Sequence, residues 1–178
     1  MQTTVFLFHP HFEESRVNHT LADALDEPVT VRNLYQLYPD FKIDVPTEQK
    51  VLAQTDRIVL QFPMYWYSTP ALLKQWEDDV LTYGWAYGTN GNALHGKELL
   101  IAVSPGADNY GKDQFARYTI TELLRPLQAT SRLIGTTYLK PFVTIGASMI
   151  SDDALAQQAQ RYATYVLTSE LPTLGDFD

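Results

Sequence analysis

Short apolar runs alternate along this chain with segments in which apolar residues recur every three or four positions. The runs are typical of buried strands, and the spaced segments are typical of amphipathic helices. Strands are predicted at residues 3–8, 29–34, 57–62, 97–103 and 136–145. Because nearly continuous apolar strands alternate with helices, we expect a parallel sheet covered by helices on both faces. Five such units favour a flavodoxin-like α/β fold, with five parallel strands in the order 2-1-3-4-5.

Helices are predicted where suitable starting residues precede the apolar spacing. Ser15 can cap the first helix, and Ser151 precedes the last. Pro46 and Pro70 occupy positions at which proline commonly begins a helix. A further helix is expected at about 113–127.

The chain length of 178 residues is about that of one domain. We expect residues 1–171 to form a single domain of this flavodoxin-like fold. Residues 172–178 are expected to form an acidic, flexible tail. A structured loop is predicted at residues 35–40.

Composition and charge exclude several classes of function. The net charge of −8 leaves no concentrated basic face, so no nucleic-acid partner is expected. The chain has no cysteine, which removes disulfide scaffolds, thiolate zinc sites and cysteine nucleophiles. No signal-peptide pattern is present, and no apolar stretch approaches the ~18 residues that span a bilayer. A cytoplasmic protein is therefore expected.

Ligands of open parallel sheets bind beyond the carboxyl ends of the strands, so the loops after Phe8, Phe62 and Val103 are the candidate site. The first of these loops contains two histidines and leads into the helix that Ser15 caps. Free backbone N–H groups at a helix N-terminus, with serine, arginine and asparagine nearby, suit an anionic phosphate. An ordinary capped helix with a surface arginine is the alternative. Since no third ligand group accompanies the histidines, no metal site is predicted.

The second loop carries three consecutive aromatic residues, Tyr65, Trp66 and Tyr67, between Pro63 and Pro70. A strand would send alternate side chains to opposite faces, so these three cannot all belong to the core. The prolines stiffen the backbone, and a rigid aromatic edge suits a flat conjugated ring. A contact between subunits is the alternative, and the two are compatible.

The third loop begins Ser104-Pro105-Gly106, where glycine allows a ligand to approach the backbone closely. Such turns follow many strands, so this signal is weak alone. The chain contains neither Gly-x-Gly-x-x-Gly nor Gly-x-Ser-x-Gly, which counts against a Rossmann dehydrogenase and an α/β-hydrolase.

Stretches spread over nearly the whole chain resemble one family. They are residues 9–18, 34–41, 61–76, 84–88, 93–97 and 126–130. Together they resemble the flavodoxin-like NAD(P)H:quinone oxidoreductases, in the bacterial branch that includes general stress proteins and the ancillary reductases of glutathione-gated potassium efflux systems. The aromatic loop and the sequence Gly-Trp-Ala-Tyr-Gly at 84–88 are the most specific matches.

The resemblance implies a homodimer with one flavin per subunit, FMN or else FAD, and NAD(P)H as co-substrate. It implies that the flavin phosphate and ribityl chain are held by His9, Ser15, Val17 and Asn18. The edge of the isoalloxazine ring would be lined by Pro63, Met64, Tyr65, Trp66 and Tyr67. The ring pocket would be completed by Ser104, Pro105 and Gly106.

Two further tyrosines receive roles from the resemblance. Tyr110 lies near the position of a catalytic tyrosine, and Tyr87 resembles an aromatic residue that lines the partner subunit's substrate site. The family usually has Thr-Thr-Gly-Gly after the fourth strand, whereas this chain has Ser-Pro-Gly-Ala. Because Pro105 has no N–H group, one backbone hydrogen bond to the ring would be lost.

The implied activity is hydride transfer from NAD(P)H through the flavin to a quinone-like acceptor, chemistry that the cofactor itself supplies. Two alternatives stay open. One is a flavin-binding regulatory subunit of a potassium efflux transporter, docked at the inner face of the membrane. The other is a one-electron carrier of the flavodoxin type. The histidine-led first loop favours the reductase.

Overall fold

One parallel sheet of six short strands forms the centre of the computed structural model, which describes residues 1–176. The strands are β1 (Thr3–Leu7), β2 (Val29–Asn33), β3 (Arg57–Pro63), β4 (Glu98–Ser104), β5 (Thr137–Tyr138) and β6 (Phe142–Val143). Their order is β2-β1-β3-β4-β5, and β6 also pairs with β4. The predicted flavodoxin-like order 2-1-3-4-5 is confirmed.

The edge strand predicted at 136–145 is in fact two strands in line. Leu139 N–H bonds the carbonyl of Leu99, and further along Thr144 N–H bonds the carbonyl of Val103. Between them stands Pro141, which has no N–H to donate to a ladder. The N–H of the preceding Lys140 bonds outward to the carbonyl of Pro172. A prediction of one continuous strand is therefore wrong at this proline.

The described residues contain seven α-helices. They are α1 (Arg16–Asp23), α2 (Leu34–Leu37), α3 (Val45–Gln54), α4 (Ala71–Val80), α5 (Ile120–Leu123), α6 (Arg125–Leu133) and α7 (Asp152–Leu167). None of the helices described is both long and apolar enough to cross a membrane.

Alternate residues of the strands face opposite layers of helices. Val5 and Val59 belong to the cluster that holds α1 and α7, whereas Phe6 and Leu60 belong to the cluster that holds α4 and α6. Both strands are buried throughout, as expected for a sheet covered on both faces.

The helix predicted at 113–127 does not form as one element. Thr119 and Glu122 make a capping box, in which each side chain accepts the other's backbone N–H, so the helix begins only at Ile120. Pro126 then lies in the first turn of a second helix. The capping signature was present in the sequence and marked the true start. The loop predicted at 35–40 is likewise partly helical, because Asn33 caps α2.

Much of the predicted flexible tail is packed against the sheet edge. Thr173 pairs with Leu139 in an antiparallel bridge, and Leu174 N–H donates to the carbonyl of Tyr138. The Gln128 side chain donates to the carbonyl of Gly175 over 3.0 Å. The structure thus differs from the expectation over residues 172–176, and residues 177 and 178 lie outside the described part.

Arg57, at the start of β3, is completely buried and joins the sheet to the end of α7. Its Nε lies 2.6 Å from a carboxylate oxygen of Glu98. Its Nη1 donates to the carbonyls of Val166 and Thr168, each at 2.7 Å. One guanidinium therefore satisfies carbonyls that the helix end leaves free.

We expect Arg57→Met to lower the free energy of unfolding by about 3 kcal/mol or more, because it leaves the carboxylate and two carbonyls without a donor. Urea denaturation measures the change. Arg161→Met removes an exposed arginine of α7 and is expected to cost less than about 0.5 kcal/mol. Equal losses in the two variants would contradict the role given to Arg57.

Candidate functional site

A chain of buried hydrogen bonds joins four elements at the carboxyl edge of the sheet. The Tyr162 hydroxyl of α7 donates to Oε1 of Gln61 on β3 over 2.9 Å. Nε2 of Gln61 donates to the backbone carbonyl of Asn18 on α1 over 3.0 Å. Nδ2 of Asn18 donates to Oγ of Ser104, at the end of β4, over 2.9 Å. All four side chains are buried, so these bonds fix where α1, β3, β4 and α7 lie relative to one another.

A cavity of about 240 Å³ opens at this edge. It brings together nine of the residues predicted from the sequence, namely His9, Ser15, Val17, Asn18, Pro63, Met64, Tyr65, Ser104 and Gly106. Three further lining residues were not assigned to the site, namely Arg16, Ala147 and Ser148.

The N-terminus of α1 forms one wall of the cavity. Oγ of Ser15 accepts the N–H of Asn18 at 3.1 Å, and this bond caps the helix. In the described part of the chain, the N–H groups of Arg16 and Val17 have no acceptor. Arg16 and Val17 both line the cavity, so their N–H donors and the positive end of the helix dipole are at its wall.

Arg16 adds a positive charge at the same wall. Its Nη1 lies 2.8 Å from Oδ1 of Asp152, and its Nη2 donates to the carbonyl of Ile150. These bonds tie the N-terminus of α1 to that of α7. Arg16 stands in the first candidate loop of the sequence, but nothing local distinguishes it from a surface arginine.

His9 has one tautomer fixed by the backbone. Its Nδ1 accepts the N–H of His11 over 3.1 Å, so the ring proton of neutral His9 is on Nε2. Partial burial, and secondarily the neighbouring His11, lower the pKa of His9 below its ordinary value of 6.5. His9 is therefore a neutral N–H donor at pH 7.

The aromatic loop is a tight two-residue turn. Tyr65 and Ser68 exchange backbone hydrogen bonds of 3.1 and 3.0 Å. Between them, Trp66 and Tyr67 have φ angles of 47° and 63°, a left-handed pair that usually takes asparagine and glycine. Non-glycine residues in this region cost about 1–3 kcal/mol each. The prolines predict stiffness, but the strain in this turn is visible only in the backbone.

The turn sends its aromatic side chains in different directions. Tyr65 lines the cavity, whereas Trp66 is 93% exposed and Tyr67 is turned towards Tyr110, with ring centroids 6.4 Å apart. Burial raises the pKa of Tyr110 above 10, so its hydroxyl stays protonated at pH 7. Within one chain, Trp66, Tyr67 and Tyr110 lie outside the lining of the cavity.

Two other predicted residues are also outside the cavity lining. Pro105 is buried, and its carbonyl accepts the N–H of Ala147 over 3.0 Å. Tyr87 packs against Tyr83, with ring centroids 5.8 Å apart. Their assigned roles stay predictions.

The loop after β6 supplies the wall that the sequence analysis missed. Ser148 N–H bonds the carbonyl of Gly106 at 3.1 Å, and a Cβ on Gly106 would lie only 2.9 Å from the Ser148 hydroxyl. The contact explains why glycine stands at position 106. Small residues follow Gly146, which has a φ of 69°. This run of small residues after the last predicted strand was the sequence signal that could have identified the wall.

A protein-family model described as "Flavodoxin-like fold" matches residues 1–166. General stress protein 14 of Bacillus subtilis is 51% identical over 170 residues, which are 93% of this chain and 97% of that protein. The NAD(P)H oxidoreductase YrkL of the same organism is 49% identical over 93% and 98%. The potassium-efflux ancillary protein KefF of Salmonella schwarzengrund is 46% identical over 90% and 92%.

Solved structures give the same fold. One described as a thermophilic tryptophan halogenase from Streptomycin violaceusniger has a TM-score of 0.92 and 53% identity, over 94% of this chain and all of that one. General stress protein 14 of Treponema denticola, solved with FMN, has a TM-score of 0.87 and 38% identity over 93% and 98%. An NADPH-quinone reductase of P. pentosaceus has a TM-score of 0.87 and 34% identity over 96% and 100%.

The strain at Trp66 predicts an order of stability between two substitutions. Trp66→Asn is expected to have a free energy of unfolding about 1–2 kcal/mol above that of Trp66→Val, because asparagine tolerates a left-handed φ and a β-branched residue does not. Both variants lack the indole, so any contact that it makes cancels in the comparison. Urea denaturation measures both. Equal stabilities would show that position 66 is not held left-handed.

Proposed function

Because this chain belongs to the flavodoxin-like fold family, we propose that it is a flavin-dependent NAD(P)H oxidoreductase that passes a hydride, through FMN, to a quinone-like acceptor. Relatives named as NAD(P)H oxidoreductase and NADPH-quinone reductase support the activity, and an FMN complex of a relative supports the cofactor.

The observation that carries the proposal is the donor set at the α1 wall. The backbone N–H groups of Arg16 and Val17, which have no acceptor among residues 1–176, lie in the first turn beside a guanidinium. This set fits a phosphate group. Pro63, Met64 and Tyr65 line another part of the cavity and offer apolar surface to a ring. A molecule with a phosphate at one end and a flat ring at the other matches both walls.

In the proposed mechanism the residues bind, orient and exclude water. Bound FMN supplies the hydride chemistry between the nicotinamide and the acceptor. His9, Ser15, Val17 and Asn18 would hold its phosphate and ribityl chain. Residues 63–67 would line the edge of the ring, and residues 104–106 would complete its pocket.

Tyr110 is the proposed catalytic group beside the aromatic turn. Its protonated hydroxyl can donate a hydrogen bond to negative charge on the acceptor. Pro105 has no N–H to donate to the ring, so we expect the site to use one fewer backbone hydrogen bond than a Thr-Thr-Gly-Gly loop does.

We further propose a homodimer in which Tyr87 lines the partner subunit's substrate site. Exposed large apolar side chains support a subunit interface. Trp66 and Phe115 are 93% and 82% exposed, and Tyr118 and Met149 are also exposed.

A cytoplasmic location, and docking on a potassium efflux transporter, belong to the proposal as well. The second rests on the ancillary role that the name of KefF states for that relative. Either can accompany catalysis.

The direct test is FMN binding and turnover by the purified protein. We expect flavin fluorescence to be quenched on titration, and NADH or NADPH to be oxidised with a naphthoquinone in a two-electron step. Tryptophan halogenation is measured in parallel, because one similar structure is described under that activity. Absence of both flavin binding and nicotinamide oxidation contradicts the proposal. Electron transfer only in single steps to a protein partner supports the carrier instead.

A matched pair of variants tests whether the FMN phosphate binds at the N-terminus of α1. Ser15→Ala and Asp44→Ala each remove an N-cap side chain, and each is expected to cost about 1 kcal/mol of stability. Only Ser15 lines the cavity, so only its replacement is expected to raise the FMN dissociation constant, by about tenfold. Equal effects on FMN binding would contradict a phosphate site at α1.

The lowered pKa of His9 gives a pH-dependent prediction. The unfolded chain binds the proton more readily than the free folded protein, so stability should fall as the pH drops below 6.5. FMN should raise the pKa of His9, because the phosphate favours the charged imidazolium, whereas riboflavin should not. An NMR titration of the His9 ring measures this. Equal responses to FMN and riboflavin would place the phosphate elsewhere.

A further inference from the structure

The direction of the buried hydrogen-bond chain follows from its backbone member. A backbone carbonyl can only accept, so the Gln61 side-chain atom 3.0 Å from the Asn18 carbonyl must be the amide nitrogen. The other end of that amide, Oε1, can only accept, so the Tyr162 hydroxyl must donate to it. The tyrosine hydrogen is thereby committed to Gln61.

The same logic continues to the end of β4. Nε2 of Gln61 also lies 3.4 Å from Oδ1 of Asn18, which leaves Nδ2 of Asn18 facing Ser104. Nδ2 can only donate, so the Ser104 oxygen accepts from it. The hydrogen of the Ser104 hydroxyl must then be donated to another group.

No acceptor for that hydrogen is present among residues 1–176. The one hydrogen bond of the Ser104 hydroxyl is the one from Asn18, and Ser104 lines the cavity. The main-chain carbonyl of Ser104 is already bound by the N–H of Met64 at 3.1 Å. Because Ser104 lines the cavity, a ligand atom bound there could accept this hydrogen bond and satisfy the hydroxyl.

The Tyr162 hydroxyl, the first member of this series of hydrogen bonds, does not change its protonation with pH. Tyr162 is completely buried, and burial raises its pKa far above the ordinary value of 10. The hydroxyl therefore remains a donor to Oε1 of Gln61 wherever the protein is folded.

We propose that Tyr162 is a positioning residue, which holds the Gln61 amide and, through it, the Asn18 amide, so that the Ser104 hydroxyl is left to donate to an acceptor atom of the bound flavin. This inference rests on the proposed function. It identifies the Ser104 hydroxyl as the donor by which the site would recognise a hydrogen-bond acceptor of the flavin. Tyr162 does not line the cavity, so its influence passes entirely through the intervening amides.

The test is a double-mutant cycle read by the FMN dissociation constant, measured from flavin fluorescence. Tyr162→Phe removes the donor to Oε1, so the Gln61 side chain keeps only its bonds to Asn18 and is held less firmly. We expect FMN binding about three- to tenfold weaker, the loss expected for one hydrogen bond. In a Ser104→Ala background, Tyr162→Phe should have no further effect on FMN binding, since the hydroxyl that it orients is gone.

Tyr165→Phe is the matched control. Tyr165 lies on the same helix and contacts the same Phe142 ring as Tyr162, but its hydroxyl donates to the carbonyl of Lys140. It should leave the FMN dissociation constant unchanged in both backgrounds. If Tyr162→Phe does not fold, Gln61→Met breaks the same series of hydrogen bonds at its next member and takes its place in the cycle, while Ser104→Thr should retain the FMN binding that Ser104→Ala loses.

The outcomes separate the two proposals. FMN binding that Tyr162→Phe weakens equally with and without the Ser104 hydroxyl overturns this inference and leaves the proposed function standing. Unaltered FMN binding in Tyr162→Phe also overturns the inference and leaves the proposed function standing. Loss of FMN binding in Ser104→Thr has the same meaning. Failure of the unaltered protein to bind FMN overturns the proposed function, and this inference with it.

Discussion

The candidate site depends on the need to satisfy four polar side chains inside an apolar interior. Tyr162, Gln61, Asn18 and Ser104 are buried at the junction of two strands and two helices, and each finds its partner in another element. An unpaired member would cost about 1–3 kcal/mol. Because each bond needs a particular direction and distance, the chain holds α1, β3, β4 and α7 in one arrangement. The walls of the cavity are formed at the ends of those elements.

Backbone hydrogen bonds also join the loops that surround these four elements. Met64 N–H bonds the carbonyl of Ser104, and Gly106 and Ser148 are joined through their backbones. This support lets the strained turn at Trp66 and Tyr67 persist, since unfavourable φ angles survive only where the surroundings determine them. The strained turn presents an exposed indole next to Tyr65, which lines the cavity.

Much of the fold was predictable because its signals are local. Apolar runs marked the four long strands, and the spacing of Leu155, Ala159 and Tyr162 marked the buried face of α7. The errors arose where a local signal was overlooked, as at the capping box of Thr119 and the interruption at Pro141. Because parallel strands bring their following loops to one edge, three loops could be predicted to form the site, and the family resemblance named nine of the cavity residues in and beside them.

The sequence by itself determined the parallel α/β architecture, the edge at which the site lies and the chemical types of its donors. Tertiary structure alone decided that Arg16 and Ser148 join the cavity, that Tyr67 turns towards Tyr110, and that the Tyr162 hydroxyl of α7 donates to Gln61 on β3. Apolar periodicity reports which face of an element is buried, because burial acts on each residue separately. The partner of a buried polar group lies far along the chain, and only the packed fold brings the two within hydrogen-bond distance.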